Sequence, residues 1–364
     1  MQPHNKLFIP GPVEVSPKTF AAFSQPMIGH RGEDFKNLYR DVHPKLQTLF
    51  GTKQPVFLST SSAWGVMEAS LRNLVGNSRQ SGTGLLCCMC GAFSDKWLDV
   101  ARRCDKNAEA LQVEWGKHID HKNVDRALSS GKFDAVTLIH NETSTGVMNP
   151  LPEICCTLAK YPDVVLIVDA VSSFSAMQID MDALGIDVML TGAQKALALP
   201  PGFSLFSVSE KAFARAEKQK DRGYYFDFLE FKKQQAEWMT PSTPSIGHIF
   251  ALQSKLDDIF DEGLTNRFDR HSRTNALVHD WVKRNGFDFF AEEGFRSKTL
   301  TCVKNTREKF DVLAFAKKLR DKHHLVIDPG YGKIRGNTFR LSNMGDETEK
   351  TVSHLLACLD DCLS

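Results

Sequence analysis

Residues 164–202 read VVLIVDAVSSFSAMQIDMDALGIDVMLTGAQKALALPPG, and the fold follows from this stretch. It holds two short apolar runs, VVLIVDA from Val164 and VMLTGA from Val188. Each ends in a turn that delivers one ionisable residue, Asp169 in the first and Lys195 in the second. Runs this short, with no polar residue to alternate, read as strands buried on both faces. Five more lie outward from them: VFLST from Val56, LLCCMC from Leu85, ALQVEW from Ala110, AVTLIHN from Ala135 and FSLFSVS from Phe203. Segments of helical period separate most of them, at 63–75, 95–103 and 151–160, and a helical stretch at 35–50 precedes the set. Apolar strands alternating with helices predict a large α/β domain around a seven-stranded, mostly parallel sheet. The runs from Val188 and Phe203 are close enough for a hairpin, which makes one strand antiparallel.

The pattern changes near Arg222. Residues 223–248 are rich in aromatics, Pro and Ser and read as irregular connecting structure. A long helical region follows from Ile249 into the mid-280s. Then come a strand at 297–303, a helix at 312–323, short strands at 325–328 and 338–342, and a last amphipathic helix. The expected organisation is an N-terminal arm (1–20), a large domain (21–248) and a smaller C-terminal α/β domain (249–364).

With 42% hydrophobic and 24% charged residues, a net charge of +1 and no long basic run, the chain has the composition of a globular protein without a nucleic-acid partner. No segment approaches the roughly 18 apolar residues of a membrane helix, and MQPHNKLFIPGP lacks the apolar core of a signal peptide. A cytosolic protein is the expectation. The nine cysteines show no zinc spacing and read as free thiols, those of LLCCMC in a buried strand.

In open α/β sheets, ligands bind beyond the carboxyl ends of the strands. Four runs deliver polar groups there: Asp169 with AVSSF, Lys195 in TGAQK, the Ser-rich turn TSSAW after VFLST, and HNETSTG after AVTLI. Taken singly, a strand-end Asp commonly caps a turn and a loop lysine is commonly solvated. Lys195, however, lies in GAQKALALPPG with no other charge, and desolvation there would lower its pKa as a Schiff-base lysine requires. The Ser-rich turn opening a helix offers N–H groups and a dipole to a phosphate.

With these residues the chain resembles the class V aminotransferases of pyridoxal-phosphate fold type I, in particular the alanine–glyoxylate and serine–pyruvate branch. The resemblance runs through PGPVEVSP, PMIGHRGEDF, STSSAWGVMEA, HNETSTGVMNPL, VDAVSSF, TGAQKALALPPG and TFRLSNMGD. It implies a transaminase that moves an amino group between a small amino acid (alanine, serine or aspartate-like) and a 2-oxo acid such as glyoxylate or pyruvate. The implied cofactor is pyridoxal 5'-phosphate, carried by Lys195 as a Schiff base, with Asp169 holding the pyridine nitrogen protonated. Ser62, Ala63 and Trp64 would form the phosphate cup with Gln194 beside it. Phe93 would stack on the ring, Thr143 would lie near its hydroxyl, and Arg340 would bind the substrate carboxylate. Thr243 would reach the phosphate of the neighbouring site in a homodimer.

The chain departs from the family in three places. Relatives carry glycines in the cup, whereas here it reads Ser59-Thr60-Ser61-Ser62-Ala63-Trp64, and positive φ would strain Ser and Ala. Trp64 is bulky where His or Thr is common, and Thr240 stands where some members have a phosphate-binding Tyr. His30 and Arg31 are candidates for side-chain selection. Arg31 would bind a second carboxylate or pair with Glu33 or Asp34, and pairing is the favoured reading.

Two alternatives remain at this stage. One is a lyase or desulfurase of the same fold; a cysteine desulfurase would need a late nucleophilic cysteine and usually a His before the lysine, whereas none lies between Cys302 and Cys358 and Gln194 precedes Lys195. A non-catalytic subunit that kept the fold would have no structural use for Lys195 and Asp169 in so apolar a setting. Arg340 in NTFRLSN is open too, because simple alternation would leave it on a solvated face.

Overall fold

The computed structural model describes residues 4–77 and 83–364. Its main sheet holds the seven expected strands: β1 (Val56–Ser59), β2 (Gly84–Met89), β3 (Ala108–Gln112), β4 (Phe133–Ile139), β5 (Val165–Asp169), β6 (Val188–Gly192) and β7 (Ser204–Val208). Their order is β1-β7-β6-β5-β4-β2-β3. Only β7 runs against its neighbours, Leu205 pairing with Leu58 on one side and Thr191 on the other. β1, β2, β5, β6 and β7 are buried throughout, as continuous apolar runs require, and helices cover both faces. β3 starts two residues earlier than its apolar run, because it is an edge strand with mostly exposed side chains.

A second core lies around a three-stranded antiparallel sheet of Asp288–Phe289, Leu300–Lys304 and Thr338–Ser342. Trp281, Phe287, Phe315, Phe339 and Leu355 fill it, and a side chain of this kind contributes about 1.5–3 kcal/mol when fully buried. The long helical region is two helices, Ile246–Glu262 and Leu264–Arg284, broken at Gly263 with φ of +80°. The first packs Ile249, Leu252 and Leu256 into the main-sheet core, and the second carries Val278 and Trp281 into the smaller one. Gly263 thus separates a helix that packs mainly on the main-sheet core from one that enters the smaller core.

Other expectations are corrected. Residues 223–248 are not wholly irregular: Phe228–Ala236 is a helix, capped by Asp227, whose side chain accepts the Leu229 N–H at 2.9 Å. The N-terminal arm, for which the sequence predicts irregular structure, is ordered as well. Lys6–Leu7 pairs with Leu325–Val326, Phe8 enters the smaller core, and Pro17–Phe23 is a helix. Glu33 pairs with Arg40, not with Arg31. Among the described residues no helix is long and apolar enough to cross a membrane.

Candidate active site

At the carboxyl ends of β1, β2, β4, β5 and β6, a cavity of about 190 Å³ is lined by Ser62, Ala63, Trp64, Phe93, Thr143, Asp169, Gln194 and Lys195. Eight of the ten residues singled out in the sequence thus meet around one space. The turn after β1 builds one wall. Ser62 is extended (φ −66°, ψ 163°) and makes no side-chain cap to the helix Ala63–Leu74 that follows it. No residue from 59 to 64 has positive φ, so the glycine-poor cup is unstrained, contrary to the expectation from its departure. A helix start without a side-chain cap leaves N–H groups for an anion.

Lys195, just past β6, is buried, and its ammonium donates to the Pro10 carbonyl oxygen. Burial, aided by the Arg340 charge, pulls its pKa down to about 7. Asp169, the last residue of β5, is buried and accepts the Val171 N–H at 2.9 Å. Burial, reinforced by Glu142, pushes its carboxyl up to about 7. Among the described residues neither group has an ion-pair partner within 4.0 Å. The cavity thus holds a buried carboxylate and a buried amine that are not neutralised by contact with each other. A planar ligand with a protonated ring nitrogen at one end and an aldehyde at another would satisfy both.

Thr143 Oγ1 shares a hydrogen bond of 2.5 Å with Ser172 Oγ. Phe93 opens the helix Ala92–Arg103, and its ring stacks on Tyr331 with centroids 5.1 Å apart. The Trp64 ring faces the Lys96 ammonium at 5.0 Å. Gln194 carries a buried Oε1 with no partner among the described residues.

Arg340 and Thr243 do not line the cavity. Arg340 lies immediately behind it, 4% exposed, which overturns the solvated-face reading. Its Nε donates to Asp328 Oδ1 at 2.9 Å, and its Nη1 donates to the carbonyl oxygen of cavity-lining Thr143 at 2.9 Å. Thr243 is exposed in the loop before Ile246, which is tied to the cup where the Ser245 N–H donates to Thr60 Oγ1 at 3.0 Å. Thr240 turns back on its own loop, donating to the Ser242 carbonyl.

Sequence reasoning missed Gly11, Asn141 and Glu142. Gly11 brings the N-terminal arm onto the site: with φ of +118°, a Cβ there would lie 2.8 Å from Lys195 Nζ. Glu142 is fully buried and accepts from the Ser94 N–H at 2.9 Å and the Ser144 hydroxyl at 2.6 Å. It thereby fixes the start of the helix that carries Phe93. All three sit in PGP and HNETSTG, motifs whose presence was plain although these members' roles were not.

The family model for class-V aminotransferases matches residues 18–321. An uncharacterised aminotransferase of Methanocaldococcus jannaschii is 36% identical over 97% of this chain and 91% of its own. A soluble hydrogenase 42 kDa subunit of Anabaena cylindrica is 30% identical, with 97% and 92% covered. A serine–glyoxylate aminotransferase of Arabidopsis thaliana is 31% identical, with 97% and 88% covered. The crystal structure of an alanine–glyoxylate aminotransferase from Nostoc superposes with a TM-score of 0.94 at 26% identity, covering 100% of this chain and 96% of the other. A buried lysine and a buried carboxylate facing one cavity at the sheet's carboxyl edge belong with these similarities, and the chain is a member of the class V aminotransferase family, with the fold type I architecture of that family.

Proposed function

We propose that this aminotransferase works with pyridoxal 5'-phosphate and moves an amino group between a small amino acid (alanine, serine or aspartate-like) and a 2-oxo acid such as glyoxylate or pyruvate. The observation that carries the reading is the Asp169–Lys195 arrangement: a buried carboxyl and a buried amine, not paired with each other, at the ends of adjacent strands. When bound, the cofactor supplies an aldehyde for the amino group and an electron-poor ring that accepts the electron pair left when the substrate Cα–H bond breaks. The side chains supply the rest. Lys195 anchors the aldehyde through Nζ and, with its pKa near 7, can take and return the Cα proton at neutral pH. Asp169 provides the negative charge at the ring nitrogen. Ser62, Ala63, Trp64 and Gln194 hold the phosphate at the helix start, Phe93 covers the ring, and Thr143 lies beside its hydroxyl. Arg340 binds the α-carboxylate shared by substrate and product.

Cys302 is buried and its thiol pushed up to about 12, chiefly by burial, so it is no nucleophile for a desulfurase. The relative named as a hydrogenase subunit raises the non-catalytic alternative. Catalysis is favoured because burying two ionisable groups that do not pair with each other costs stability and serves no packing purpose. The decisive test is a scan of amino acids for conversion of the bound cofactor from aldehyde to amine form. Conversion by alanine or serine supports the reading, and conversion by none of the common amino acids rejects it.

Arg340→Lys is expected to keep the cofactor spectrum but lose about 30- to 1,000-fold in kcat/KM for amino and oxo acids, roughly 2–4 kcal/mol, because lysine cannot copy the two parallel hydrogen bonds. An amine without a carboxylate should suffer far less. Equal losses for both would make Arg340 a support of the fold.

We further propose a homodimer in which Thr243 contributes to the phosphate site of the neighbouring subunit, consistent with its exposed position outside its own cavity. Sedimentation should find a dimer at micromolar concentration. A fully active monomer would contradict this.

A further inference from the structure

The loop from Asp328 to Asn337 joins the smaller domain to the active-site rim through Asp328 and Tyr331. Asp328 Oδ1 accepts from Arg340 Nε and lies 2.9 Å from Nη2, and the Gly330 N–H donates to the same oxygen at 2.9 Å. The two backbones bridge as well, the Arg340 N–H donating to the Asp328 carbonyl at 2.7 Å. Arg340 Nη1 is tied to Thr143 O, and the Tyr331 ring covers the guanidinium with its centroid 5.3 Å away. Gly330 (φ +90°) and Gly332 (φ +58°) let the loop bring Tyr331 there.

A guanidinium offers five N–H donors in a rigid fork. Asp328 takes the edge formed by Nε and Nη2, and Thr143 O takes one donor of Nη1. One donor on Nη1 and one on Nη2 remain for a ligand. Tyr331 and the backbone bridge stop the fork from swinging away from Asp328, so a ligand carboxylate must share the cation with a carboxylate already bound.

We infer that Asp328 attenuates the carboxylate grip of Arg340, acting as a positioning residue that sets how tightly amino and oxo acids are held. This rests on the assignment of Arg340 as the carboxylate clamp. Two carboxylates on one guanidinium repel, and a cation already neutralised gains less from the second. A weakened grip does not slow the reaction by itself: substrate and product carry the same α-carboxylate, so binding both equally tightly lowers KM without raising kcat. It also lets the product acid leave.

The test compares the cofactor-loaded full chain with Asp328→Asn and Asp328→Ser, using the best amino donor from the scan, its amine analogue without a carboxylate, and propionate as a competitive inhibitor. Either variant should lower KM for the amino acid and Ki for propionate by roughly tenfold, with the effect on KM rather than kcat. The amine should respond little. If Asp328 is only a brace for Arg340, both constants rise instead, and the inference is wrong. Unchanged constants in a folded variant overturn it equally. The serine variant, which admits water beside the arginine, serves if the asparagine variant does not fold. Arg340→Lys in the same assay separates the two layers: equal losses on acid and amine remove the clamp itself. Selective loss there, without tightening in the Asp328 variants, removes only the attenuation.

Discussion

Borohydride treatment of the cofactor-loaded protein is expected to fix the cofactor permanently on Lys195, and Lys195→Ala to reduce transamination by at least about ten-thousandfold. The residue is buried just past β6, and among the described residues only the Pro10 carbonyl accepts from its ammonium. A charged lysine is poorly served there, and its pKa falls to about 7 because burial penalises the cation. The sign sets a pH dependence. Above about 7 the amine is a free base and can attack an aldehyde, so loading of cofactor-free protein should quicken as pH rises from 6 to 8 and then level off. A surface lysine would keep gaining to far higher pH. Stability follows the same linkage: between about 7 and the ordinary 10.5 the unfolded chain binds a proton here that the folded chain does not, so this group's contribution rises with pH across that window. Peptide mapping after reduction is the direct check. Label on any other lysine, or a Lys195→Ala protein that retains turnover, would remove the central assignment.

The main sheet was legible because its strands are apolar on both faces, a pattern that no amphipathic helix of the same length imitates. β3 was misplaced for the converse reason: on an edge strand with exposed side chains, composition carries little register information. The helix Phe228–Ala236 was hidden by its aromatics. Phe228 and Phe231 are buried core residues at helical spacing, but Pro and Ser close by gave the segment the look of a loop.

The site was legible wherever a reactive residue followed a strand directly, as Asp169 and Lys195 do. It was not legible where the contact spans the chain. Gly11 meets Lys195 across more than 180 positions, and nothing local to PGP announces that. Arg340 stood between two readings because alternation tells which face a side chain takes, not what covers that face. Here the covering is Tyr331 and the Thr143 carbonyl. Asp328 ends the short strand expected at 325–328, and its bond to Arg340 depends on pairing with a strand that the sequence does not specify.

Asp169→Asn should be as damaging as Asp169→Ala, each cutting turnover by roughly a thousandfold or more. Two roles compete for this carboxylate. As a turn cap it accepts the Val171 N–H at 2.9 Å, and losing a cap costs typically about 1 kcal/mol of stability while leaving chemistry intact. As the charge opposite a protonated ring nitrogen, it would stabilise the electron-rich state reached when the Cα–H bond breaks, and a preorganised buried charge of this kind is worth several kcal/mol. The Asn variant separates the roles, since its carboxamide oxygen can still accept from Val171 but carries no charge. The cofactor-free protein provides an independent sign. Burial raises the carboxyl from its ordinary 3.8 to about 7, so between those values the folded chain binds the extra proton, and stability from this group falls as pH rises through the window. Bound cofactor should abolish that slope, because a cation placed at Asp169 favours the carboxylate and brings its pKa back toward the ordinary value. If the Asn variant melts and turns over like the parent, Asp169 is a cap and the ring nitrogen finds its partner elsewhere. If it melts like the parent but has lost its turnover, the charge rather than the hydrogen bond is what the reaction uses.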